Sequence, residues 1–138
     1  MIQQRFWLVL SLMVLCGCGQ KGIPRAEVEG TVTFESKPIA DGVILFVPIP
    51  GIQGAPVQLN IKDGHFSSKT DEKDRRGIVI GENDVQIMAM IETGKKVRAP
   101  DGNLIDETVQ SIPARFNEET ELRREVKPGT NKFDFHLE

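Results

Sequence analysis

From Val28 onward the chain alternates apolar and polar side chains with a period of two, broken every eight to fifteen residues by glycine, proline and Asp-Gly pairs. Val28, Gly30, Val32 and Phe34 share one face of a strand, and Glu29, Thr31, Thr33 and Glu35 share the other. SKPIADG turns the chain. Val43 to Val47 is then apolar on both faces, as a central strand requires, and PIPG ends it. Val57, Leu59 and Ile61 alternate with Gln58 and Asn60, and a tight turn at Asp63-Gly64 predicts a hairpin returning through Phe66. After the charged loop TDEKDRRG, Gly81 leads into a strand with Val85, Ile87, Ala89 and Ile91 on one face and Gln86, Met88 and Met90 on the other. TGKKVRAPDGN reads as a second long loop, LIDETVQSIPARFNEET has no clear period, and the last strands fall at Leu122 to Val126 and Phe133 to Leu137. No stretch holds a 3.6-residue period long enough for an amphipathic helix. The expectation is an all-β domain over residues 26–138, an antiparallel β-sandwich with Greek-key connections.

The first 20 residues follow another pattern. MIQQR carries one cation, FWLVLSLMVL carries no charge, and CGCG follows. That is the order of regions in a secretory signal peptide. The uncharged window from Phe6 to Gln20 reaches only about 22 Å as a helix, against a hydrocarbon core of roughly 30 Å. It is therefore too short to span easily. Leu15, Cys16, Gly17 and Cys18 resemble a type II signal peptidase site, in which a small residue precedes the scissile bond and the next thiol is alkylated by diacylglycerol. Residues 1–17 are then the lipoprotein signal peptide, Cys18 carries the acyl (palmitate-type) anchor, and residues 18–25 form a lipidated tether. Cys16 leaves with the signal peptide, so the mature chain keeps one cysteine, as a thioether. A disulfide, a redox pair and a cysteine-based metal site are all excluded on this reading.

Gly30-Thr-Val-Thr-Phe34, Lys37-Pro38-Ile39, Gly42-Val-Ile-Leu-Phe-Val-Pro48, Asp63-Gly-His-Phe66, Gly81, Ile112-Pro-Ala-Arg-Phe-Asn117, Val126-Lys-Pro-Gly129 and Asn131-Lys-Phe-Asp-Phe135 occur in an order that resembles small bacterial lipoproteins with a carboxypeptidase regulatory-like (transthyretin-like) domain. The resemblance implies a seven-stranded prealbumin-like sandwich without a catalytic role. Such domains usually carry a tyrosine two residues after the glycine of the sixth strand. Here that position is Asn83, and the chain has no tyrosine at all. The fold also includes 5-hydroxyisourate hydrolase, whose site resembles a His, Arg, His set with a C-terminal Tyr-Arg-Gly-Ser. This chain ends in FDFHLE, so the enzyme reading fails at the residues it needs.

Other chemistry finds little footing. Seventeen Lys and Arg against 20 Asp and Glu, with no basic stripe, argue against a nucleic-acid partner. His65 and His136 lack a third nitrogen or sulfur donor, so neither a metal site nor a cofactor is expected. Asp101, Asn103 and Asp106 offer oxygens to calcium, but Asp-Gly-Asn is also an ordinary turn. Ser36, Ser67, Ser68 and Ser111 have no histidine at a recognisable spacing. Met88 and Met90, with Phe46, would form an apolar patch unless the second sheet or a loop covers them.

The sequence reading is thus a membrane-anchored protein of the cell envelope, held through membrane lipid at Cys18, that binds or scaffolds without catalysis. Gly19 is not the aspartate of an inner-membrane retention signal, which favours the outer membrane or cell surface. The alternative is a carbohydrate- or peptide-binding module using loops 70–81 and 92–108. Its envelope protein or glycan partner is not named by the sequence.

Overall fold

The computed structural model describes residues 22–69 and 77–138. Its strands are β1 (Arg25–Phe34), β2 (Lys37–Pro38), β3 (Asp41–Pro48), β4 (Val57–Lys62), β5 (His65–Ser67), β6 (Ile78–Val79), β7 (Gly81–Met88), β8 (Met90–Arg98), β9 (Leu104–Gln110), β10 (Arg123–Val126) and β11 (Thr130–Leu137). The described residues are all-β, with one helical turn among them, a 3-10 segment at Ala114–Phe116. Seven strands are hydrogen-bonded in the order β10-β7-β3-β4-β5-β1-β11, and the sheet curls into a half-barrel. One edge of β1 pairs with β11, while its other edge is taken in succession by β6, β5 and β2.

The period-two pattern decides what the curl encloses. Val28, Gly30 and Val32, Ile44 and Phe46, Val57, Leu59 and Ile61, Val85 and Ile87, and Phe135 and Leu137 all lie buried inside, with one residue that faces out between each and the next along its strand. Phe66 sits between the Phe46 and Phe135 rings, 6.2 Å from each centroid, in tilted contacts that add to the area buried. Val126 of β10 joins this core, and the Arg124 guanidinium stacks 4.7 Å over Phe135 of β11. That cation–π contact bridges the two ends of the strand path. Phe46 is fully buried, so it contributes to the core and not to a surface patch.

Three expectations need correction. First, the pairing is not wholly antiparallel, because β1 and β11 run parallel from Glu27↔Thr130 to Phe34↔Leu137. Side-chain alternation carries no information on strand direction, and the whole chain between the two strands supplies the crossover that parallel pairing needs. Second, 92–108 is not a loop but most of an antiparallel hairpin, β8–β9, that forms a sheet of its own. Third, Ile91 does not continue the buried face of Val85, Ile87 and Ala89, since it is 53% exposed. The ladder changes hands at Ala89: the Gln110 side-chain oxygen accepts its N–H at 2.8 Å, and the Ser111 hydroxyl donates to its carbonyl at 2.9 Å. Beyond that point the chain leaves the barrel.

The turns show where backbone strain is held. Asp63-Gly64, at φ 49° and 77°, makes the predicted tight hairpin between β4 and β5. The turn from β1 to β2 has the same left-handed pair at Glu35 (φ 48°) and Ser36 (φ 63°), neither of which is a residue that favours it. Replacing the pair by Asn-Gly should therefore raise stability by about 1–2 kcal/mol. A urea midpoint that rises at unchanged slope is the expected result, and an unchanged midpoint would show that the turn holds no strain.

Candidate functional site

Residues 90–110 form an arm whose two strands are exposed along nearly their whole length. Its tip is well built. Asp101 Oδ1 accepts the Asn103 N–H at 3.0 Å, Ala99 N–H donates to the Asn103 carbonyl at 2.8 Å, and Gly102 takes φ 90°, as three-residue hairpin loops require. The backbone and side-chain N–H groups of Asn103 hold the Asp101 carboxyl below the usual carboxylate range. A lowered carboxyl contributes its stabilisation above about pH 4 and loses it as pH falls through the folded value, so the tip loosens only in acid.

Between tip and root the register slips. Glu92 pairs with Thr108 and Lys96 with Asp106, so Thr93, Gly94 and Lys95 together oppose Glu107. This bulge, with Gly94 at φ 78°, preserves the alternation on either side of it. In consequence Ile91↔Val109 and Val97↔Ile105 are two cross-strand pairs on one face, with Glu107 between them accepting the Thr93 hydroxyl at 2.6 Å. The opposite face carries Glu92, Lys96, Arg98, Asp106 and Thr108, with a 2.6 Å Lys96–Asp106 ion pair. Ile91, Val97, Ile105 and Val109 are 53%, 37%, 49% and 41% exposed. Among the described residues, the extensive contacts of each arm strand are with the other. Full burial would add roughly 1 kcal/mol for each half-exposed aliphatic side chain. A two-stranded hairpin by itself is marginal in water, so such a surface is where a partner is expected.

At the root of the arm the apolar surface continues into a cleft of about 290 Å³ lined by Phe34, Pro38, Ile39, Ala89, Met90 and Ile91 among others. Glu35 of the strained turn lies on its rim, and Ser111 is its hydroxyl. Met90 is 54% exposed here, whereas Met88 is half-buried on the outer face of β7. Behind the cleft, Asn117 Nδ2 donates to the Ile112 and Pro113 carbonyls at 3.1 and 3.0 Å, and its Oδ1 accepts the Glu118 N–H. The buried amide thus fixes the segment by which the arm returns to the barrel.

The residues singled out from the sequence are dispersed. Leu15, Cys16, Gly17 and Cys18 lie outside the described residues, as do 70–76 of the first predicted binding loop. The rest of that loop is no recognition rim: Gly77, Ile78 and Val79 are buried, because β6 pairs with Arg25 and Ala26 at the start of β1. Asp106 is engaged by Lys96 and Asp101 by Asn103, so the calcium candidates serve the hairpin. His136 lies on the exposed face with Nδ1 3.0 Å from the Thr33 hydroxyl, and His65 is exposed on β5. Ser68 Oγ accepts the Val28 N–H, Ser67 Oγ accepts the Lys69 N–H and Ser111 donates to Ala89, all of them contacts that hold backbone. Among the described residues no three His, Cys, Asp or Glu side chains cluster as a metal site would.

Asn83 stands at the position where the resemblance implies a tyrosine. It is fully buried, and its Nδ2 donates to the Val79 and Gly81 carbonyls at 3.0 Å each, holding the corner between β6 and β7. Its Oδ1 is buried without a donor among the described residues.

With this geometry in hand, comparison with known proteins adds little. No family model matches the chain, and no curated protein matches it. A solved structure that it resembles, a 9R-lipoxygenase from Cyanothece PCC8801, aligns at 11% identity with a TM-score of 0.36. The alignment covers 79% of this chain and 16% of the lipoxygenase. A likeness that slight carries no functional argument. The arm and its cleft remain the candidate site on their own physical grounds.

Proposed function

We propose that this chain is an exported lipoprotein of the cell envelope, anchored by acylated Cys18, whose non-catalytic half-barrel presents the arm and adjoining cleft to a protein partner. The anchor is supported by the apolar run and the Leu15, Gly17, Cys18 spacing. β1 begins at Arg25, so residues 18–25 supply a tether of at most roughly 25 Å. That keeps the barrel close to the lipid surface, with the outer membrane or cell surface as its place. The half-barrel is read as a prealbumin-like Greek-key sandwich opened along one side. The seven-strand path and the ordered turn motifs, from Asp63-Gly64 to Lys127-Pro-Gly129, support this reading.

The observation that carries the binding role is the face made by Ile91, Val97, Ile105 and Val109, organised by cross-strand pairing yet uncovered. Its chemistry suits aliphatic side chains. The cleft has Phe34 as its aromatic, the chain has no tyrosine, and its one tryptophan, Trp7, lies in the signal peptide, so a stacking platform for sugar rings is missing. The test is a photoreactive residue at Val97 in the full chain in intact cells, compared with one at Lys132 on the outer face of β11. A discrete protein adduct from position 97 and none from 132 is expected. Adducts from neither position, or equally from both, would remove the arm as the binding surface.

A further inference from the structure

We propose that the end of the half-barrel where the chain enters it is seated in the lipid surface, so that the barrel stands on the membrane with the root of the arm at its far end. This rests on the reading of Cys18 as the acylated residue and names what the tether end of the domain touches. Ile23, Pro24, Ile52, Gln53 and Ile80 line a second cleft there, of about 310 Å³. The Ile80 N–H donates to the Pro24 carbonyl at 3.1 Å, and the Ile52 N–H closes a turn onto the Ile49 carbonyl at 3.1 Å. Ile52 lies over Gly81 and the backbone at Gly54 lies against Val79. A Cβ on Gly81 would lie 2.6 Å from Ile52 Cδ1, and one on Gly54 would lie 2.5 Å from Val79 Cγ2. The loop from β3 to β4 is thereby pressed onto the corner between β6 and β7, and the cleft is preformed. Ile23 is 42% exposed, and Ile52 and Ile80 are half-buried.

Chain length argues for lipid as the occupant. Ile23 is five residues beyond Cys18, and five residues fully extended span at most roughly 17 Å. An acylated Cys18 sits at the headgroup level, and apolar faces at that boundary sink about 5–10 Å into it. The cleft is thus held within reach of lipid. By itself so small an apolar surface does not keep a protein on a membrane, since even a single acyl chain is marginal; the tether supplies the effective concentration. Among the described residues that line the cleft none is charged. Around it Arg25 and Lys127 are matched by Glu82 and Glu125, so the seating is apolar and does not depend on anionic lipid. The strands then fix where the arm stands. β7 runs from Gly81, beside this cleft, to Met88, next to the root of the arm, a length of about 23 Å. β1 runs the same way, from Arg25 to Phe34, which lines the cleft at that root. Seating one end in lipid holds the root of the arm away from it, on the side from which a protein partner approaches.

The test uses the full chain, acylated in cells, purified, checked for its acyl mass and reconstituted in zwitterionic phosphatidylcholine vesicles. The mature chain has no free thiol on this reading, so a fluorophore goes to one introduced cysteine, Gln53→Cys at the cleft or Lys37→Cys at the other end. Bromine on the lipid acyl chains should quench the probe at position 53 at least threefold more than the probe at position 37. I23D should at least halve the quenching at position 53 while the protein stays in the vesicles, with the melting temperature unchanged because Ile23 precedes the first strand. Equal quenching at both positions, or stronger quenching at position 37, would overturn the seating while the anchor stands. Quenching at position 53 that is indifferent to I23D would overturn the cleft as the seated surface. A chain without acyl mass that does not enter the vesicles would overturn the anchor and the seating with it.

Discussion

Gly30→Ala will cost about 3 kcal/mol or more, at the upper end of what overpacking does and a large share of the total stability of a domain this size. Gly30 lies in the middle of β1, opposite Phe133 in the parallel pair and Phe66 in the antiparallel one. A Cβ there would sit within the Phe133 carbonyl, 2.7 Å from its carbonyl carbon and 3.0 Å from the Phe66 ring. The obstacle on one side is backbone, so no side-chain rotation relieves it. The β1–β11 ladder must open, and with it the contact between Phe135 and Phe66. Thermal unfolding should show a midpoint lower by about 12 °C. A change of less than about 3 °C would mean that the two strands do not approach this closely.

Cys18→Ser will move the protein from the membrane fraction to the soluble one. Each buried methylene of an acyl chain contributes about 0.8 kcal/mol, and several chains make an anchor that a single chain does not. No helix among the described residues is long and apolar enough to cross a membrane, so the described domain offers no helical substitute for the lipid. The folded domain should be unaffected, because the first strand begins at Arg25, seven residues beyond the substituted position. Carbonate-washed membranes that still retain the serine variant would contradict the anchor. Retention of an uncleaved leader is recognised by the larger mass of the product.

The barrel was largely legible in the sequence because its strands obey one rule, in which burial on one side forces alternation. Val57-Gln-Leu-Asn-Ile61 reads the same on the page and in the fold. Strand direction was not legible, since the parallel β1–β11 pair depends on where a distant segment returns. The arm was hidden for a different reason. A hairpin signal was present in Val97, Asp101-Gly102 and Leu104-Ile105, but the Thr93-Gly94-Lys95 bulge breaks the period on one strand. The charged polar face, with Lys96 and Arg98, then made the stretch resemble a loop. Asn83 shows the converse case. Where the resemblance implies a tyrosine the chain has a compact amide, and only the structure shows that it bonds two carbonyls of its own corner.

The central claim is that the half-barrel is a complete scaffold and the arm is displayed by it. Thermal unfolding of a chain in which residues 91–109 are replaced by a short Asn-Gly turn tests this most directly. The account predicts one cooperative transition within about 3 °C of the parent, since the replaced residues contribute nothing to the buried core. A transition lowered by more than about 10 °C, or a loss of cooperativity, would contradict it and make the arm part of what holds the fold together.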